Sequence, residues 1–157
     1  MFEHCHSTSE VAAVYRGLGF TVTCSLERVF LIASATVGAI VMPADLGHAV
    51  RGLVAAESKR TTMPILTYPG PHREWVCLVG PVARGGKLSA RTLADLEEQR
   101  VRIFESGQRV WLPTTDYSTG WSWITPPGKA SEMPPRSTLI SRTIESLHRA
   151  RLSAAWT

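Results

Sequence analysis

Side chains able to do chemistry are few and scattered along this chain of 157 residues. His72 and Arg73 follow Pro69-Gly70-Pro71, which puts an imidazole and a guanidinium at the mouth of a predicted hairpin, a pair able to hold a phosphate. An ordinary exposed turn is the competing reading. Trp111, Tyr117, Trp121 and Trp123 are interleaved with Arg100, Arg102 and Arg109, the composition of a surface on which bases stack and phosphates pair. Against it stands the reading that two of the tryptophans are core and the rest rim. His4-Cys5-His6 has ligand types that suit zinc, but neighbours on an extended chain point to opposite sides and no second pair lies at finger spacing. Metal-assisted phosphoryl chemistry needs several carboxylates close together. Only Asp45 follows a buried strand, while Asp95, Glu97 and Glu98 read as the wet side of a helix. No G-x-S-x-G elbow is present, and Arg84-Gly85-Gly86-Lys87 lacks the spacing of a phosphate loop.

Composition narrows the classes. Apolar residues make up 44% and charged residues 19%, the balance of one globular domain long enough to bury its own core. Fourteen of the 17 basic residues are arginine, giving a net charge of +4 and forks suited to phosphate or carboxylate. Three cysteines at positions 5, 24 and 77 form no framework, so reduced thiols and a cytoplasmic location are expected. The longest apolar stretch, Val29 to Pro43, is too short and too mixed to span a bilayer, and no membrane role is expected.

The elements that must position these groups follow from periodicity. A short helix over Glu10–Leu18 starts after Ser7-Thr8-Ser9, and three strands follow at Phe20–Cys24, Val29–Ala33 and Val37–Met42, the last buried on both faces. A helix runs to about Ser58. Pro64–Tyr68 and Glu74–Val79 form an antiparallel hairpin or meander, and Ser89 opens a helix through Leu93 and Leu96. Val101–Glu105 and Arg109–Leu112 read as a second hairpin turned at Ser106-Gly107, and Trp121–Ile124 as a short strand. No internal repeat is evident. The fold class expected is α+β, a mainly antiparallel sheet with covering helices and a C-terminal amphipathic helix. The division is an N-terminal arm (1–9), an α+β domain (10–127), a Pro-rich linker or wrapped loop (128–136) and a basic helix (137–157) with Ile140, Ile144 and Leu147 on one face.

Val11-Ala12-Ala13-Val14-Tyr15-Arg16-Gly17 then Phe20-Thr21-Val22, Val37 to Pro43, Pro71-His72-Arg73 before Trp75 to Val79, and Ser106 to Pro113 followed by Gly120-Trp121-Ser122-Trp123-Ile124-Thr125-Pro126 occur in an order that resembles the actinobacterial primase-polymerase-like proteins, the bifunctional DNA primase/polymerase N-terminal family. The likeness spans roughly residues 10 to 127. It implies a primase-polymerase-like fold with His72 near the place of that family's nucleotide-holding histidine. The family's Asp-x-Asp motif is represented only by Asp45, and its third carboxylate is replaced by Arg100, Val101 and Arg102, with Glu105 nearby. The resemblance therefore implies a catalytically degenerate member.

Two functional readings result. The first is a protein without catalysis or a resident cofactor that binds nucleotide or nucleic acid through His72, Arg73, Arg102, Arg109 and Trp111, or acts as a regulatory scaffold there. The second is a module for a protein partner or for homo-oligomers, working through the Pro-rich segment with Ile140, Ile144 and Leu147. A third reading keeps residual chemistry around one magnesium or manganese ion at Asp45, His72 and Glu105.

Overall fold

Ser7 accepts a hydrogen bond from the Glu10 amide while the Glu10 carboxylate accepts one from the Ser7 amide, and this reciprocal cap starts helix α1 (Thr8–Gly17). Its Val11, Ala12 and Tyr15 are buried. In this computed structural model, which describes residues 1–57, 61–68, 73–81, 88–117 and 120–154, three strands follow: β1 (Val22–Ser25), β2 (Arg28–Ile32) and β3 (Gly38–Pro43). Leu26 and Glu27 join β1 to β2 with φ of 48° and 58°, the two-residue turn whose twist suits a hairpin. Then come α2 (Ala44–Glu57), β4 (Ile65–Thr67), β5 (Glu74–Val79), α3 (Ala90–Glu98, capped by Ser89), β6 (Arg102–Ile103), β7 (Arg109–Leu112), β8 (Ser122–Thr125) and α4 (Arg136–Ala154). The expected turns at Pro69–Pro71 and Arg84–Lys87 lie outside the described residues.

The strands make two antiparallel sheets, one ordered β1-β2-β7 and one ordered β6-β3-β5-β4-β8. This is the α+β class, mainly antiparallel with covering helices. A first core joins α1 and the three-stranded sheet to one face of the larger sheet, through Tyr15, Leu31, Leu66, Leu78 and Leu112. A second core lies on the other face, where Ile40, Met42, Trp75 and Cys77 meet Val50 of α2, Leu96 of α3 and Leu139 of α4. Strand β3 is buried on both sides because Ala39 and Val41 face the first core while Ile40 and Met42 face the second.

One expectation is overturned: β6 and β7 are not a hairpin. Strand β6 pairs with β3 and β7 with β2, in different sheets. The chain turns a corner instead, with the Phe104 amide donating to Ala39 O (2.9 Å), the Gly107 amide to Ala33 O (2.8 Å) and the Ala33 amide to Gln108 O (2.8 Å). The β2–β3 and β6–β7 connections thus cross between the sheets side by side and satisfy one another's backbone groups.

The Pro-rich segment is hydrogen-bonded across the molecule. Ala130 N–H donates to Leu18 O, Thr62 N–H to Glu132 O and Gly80 N–H to Pro134 O, and Met133 is buried in the first core. Within it Ala130–Glu132 form one 3-10 turn. Among the described residues, no helix is long and apolar enough to cross a membrane.

Candidate functional site

Because Val29 and Leu31 of β2 and Val110 and Leu112 of β7 face the first core, strand alternation sends Arg28, Phe30, Arg109 and Trp111 to the opposite face of the three-stranded sheet. The register sets Phe30 directly across from Trp111 and Ile32 across from Arg109. The two rings meet edge to face at 5.0 Å. Phe30 is only 3% exposed although it belongs to neither core; its cover includes Trp111 and the Arg109 guanidinium, whose central carbon lies 4.8 Å from the ring centroid.

The row of rings continues onto the edge of the larger sheet. Trp111 and Trp121 are 6.2 Å apart, and Trp121 meets Tyr68, at the end of β4, at 4.8 Å. The Arg28 guanidinium lies 5.7 Å from the Trp111 ring and 5.3 Å from the Trp121 ring. The Tyr68 hydroxyl donates to Trp111 O at 3.4 Å, and burial pushes its pKa up to about 12, so it remains a neutral donor. Edge-to-face ring pairs contribute about 0.5–1.5 kcal/mol each, and guanidinium–ring contacts at exposed sites about 0.5–1 kcal/mol. The face is therefore built in place before any ligand arrives.

Arg28 and Arg109 are exposed, and among the described residues neither is in an ion pair. Other arginines are neutralised: Arg102 by Glu74 at 2.7 Å, Arg142 by Glu57 and Glu145, and Arg149 by Glu145.

Of the residues expected to form a binding surface, Arg109 and Trp111 lie on this face. Arg102 is on β6, and Arg73 is exposed just before β5, with its carbonyl accepting from the Ala44 amide at 3.0 Å. Both belong to the larger sheet near the start of α2, where Asp45 is exposed in the first turn. His72 lies outside the described residues. Among the described residues, no three His, Cys, Asp or Glu side chains are grouped to hold a metal ion. Trp123 turns inward, its Nε1 donating to the Tyr15 hydroxyl at 2.9 Å, and that hydroxyl donates to Pro113 O at 2.6 Å. Tyr117 is 76% exposed. Ile140 is buried in the second core, and Ile144 and Leu147 pack against that core from α4.

Sequence reasoning missed Arg28, Phe30 and Tyr68. A signal for the first two was present: Arg28-Val29-Phe30-Leu31 and Arg109-Val110-Trp111-Leu112 share one pattern, arginine-valine-aromatic-leucine. Paired antiparallel about Phe30 and Trp111, the two copies put an arginine at each end of one ring pair.

No family model, no curated protein and no solved structure matches this chain.

Proposed function

We propose that this protein binds nucleotide or nucleic acid, without catalysis, on the face formed by Arg28, Phe30, Arg109, Trp111 and Trp121. The observation that carries the reading is the pair of arginines stacked on a fixed row of rings with no carboxylate partner among the described residues. A base can stack on an aromatic ring or on a guanidinium plane, worth about 1–3 kcal/mol per base on ring platforms. The same guanidinium forks suit phosphate oxygens.

The reading extends to a degenerate primase-polymerase-like protein, on the strength of the motif order described above. Under it, Asp45 is the surviving carboxylate of a lost metal site, and ligand binding is carried by the three-stranded sheet and not by the end of β3.

Titration of tryptophan fluorescence at low salt tests the proposal, since Trp111 and Trp121 would report on a stacked base. Nucleoside triphosphates and short single- and double-stranded DNA and RNA are the ligands to use. Affinity should fall steeply as salt rises, because bound phosphates release counterions. Unchanged emission and no binding across that panel would reject it.

A further inference from the structure

Helices α3 and α4 enclose an open groove of about 350 Å³ that is independent of the nucleic-acid reading. Its apolar lining is half-buried Ile144 and Leu147 of α4 above Leu96 of α3, which is buried in the second core, and its basic lining is Arg91, His148 and Arg151. On α4 these positions recur at intervals of three and four, one stripe of the helix. One turn beyond His148 the stripe reaches Leu152, which is 64% exposed. From Ile144 to Leu152 it runs about 12 Å at 1.5 Å per residue, the length of roughly two turns of a docked helix.

Arg136 at the start of α4 donates to Ser34 O, and the remaining arginines of these two helices are sorted by side. Arg142 and Arg149 are held in ion pairs by Glu57 and Glu145, whereas among the described residues Arg91 and Arg151 of the groove have no ion-pair partner. Asp95 also lines the groove, so two arginines stand against one carboxylate. A net charge of +4 on the chain disfavours a second copy as the occupant. We infer that the groove receives an acidic amphipathic helix of a partner protein, its apolar residues at i, i+3 or i+4 and i+7 set against half-buried Ile144 and Leu147 and exposed Leu152, and its carboxylates paired with Arg91 and Arg151.

The test is selection from a displayed library of helical peptides on the whole purified chain, followed by titration of the enriched peptides against wild type and the Arg91→Glu/Arg151→Glu double variant. Both arginines are exposed, so the variant should keep the wild-type melting temperature. Enriched peptides should carry apolar residues at that spacing with flanking Asp or Glu, shift the methyl signals of Ile144, Leu147 and Leu152, and bind the double variant at least about tenfold more weakly. Enrichment without acidic residues, equal affinity for the double variant, or no enrichment overturns the inference. So does dimerisation of the chain that the double variant abolishes.

Discussion

Phe30 and Trp111 stand directly opposite one another across β2 and β7, 5.0 Å between centroids, with Arg109 over the first ring and Arg28 beside the second. Phe30 is thereby buried on the side of its sheet turned away from the core. A double-mutant cycle with Phe30→Leu and Trp111→Leu should yield a coupling of about 0.5–1.5 kcal/mol by urea denaturation. Additive effects would mean that the pair contributes only through separate burial.

Tyr15 is the polar joint of the first core, because its hydroxyl donates to Pro113 O and accepts from Trp123 Nε1. Tyr15→Phe removes both bonds and leaves two groups without that partner, which should cost about 1–3 kcal/mol. Chemical denaturation measures it, and a loss well under 1 kcal/mol would show that the joint is replaceable.

Two glycines of α2 should respond to alanine with opposite signs. At Gly52 a methyl group would meet nothing within 4 Å, so Gly52→Ala should gain up to about 1 kcal/mol from helix propensity. At Gly47 a Cβ would come within 2.5 Å of the buried Trp75 ring, which Arg51 and His48 also contact. Gly47→Ala should therefore lose about 1–3 kcal/mol through overpacking. Thermal melts of both variants check the pair.

Burial pushes the Cys77 thiol and the Tyr68 hydroxyl each up to about 12, and raises Tyr15 further. Each group holds its proton in the folded chain at a pH where the unfolded chain releases it, so the stability they contribute is complete below pH 9 and declines as pH rises through 9–12. Denaturation midpoints should fall over that range. At pH 8 a thiol reagent should modify exposed Cys24 and half-buried Cys5 in the native protein and reach Cys77 only on unfolding.

Local signals were strong where an element's partners lie close in the chain or where burial is complete. The run Ser7-Thr8-Ser9 announces the start of α1, though only the structure shows that Ser7 is the cap; the unbroken apolar run of β3 announces a strand buried on both faces, and β5 spans the expected Glu74–Val79. The apparent hairpin at 101–112 misled because Gly107 and the alternating residues around it suit a tight turn equally well, while the true partners, Ile40 and Phe30, are remote in sequence. Two residues apart, Trp121 and Trp123 would share a face of one continuous strand, but Trp121 lies just before β8 and meets Tyr68 and Trp111, whereas Trp123 within β8 meets Tyr15, far away in the chain. Arg109 and Trp111 could be named as candidates; the matching pattern at Arg28–Leu31 pointed to Arg28 and Phe30, but the register that joins β2 to β7 is a tertiary fact.

The most direct measurement is a low-salt titration of fluorescent oligonucleotides and nucleotides against wild type, Arg28→Ala/Arg109→Ala and Arg102→Ala. Arg102 serves as the control because it lies on the larger sheet, paired with Glu74. The account predicts salt-sensitive binding by wild type and Arg102→Ala, and a loss of at least about tenfold in the double variant, on the scale of two lost charge-assisted contacts. Binding that survives removal of Arg28 and Arg109, or no binding by wild type, would contradict it.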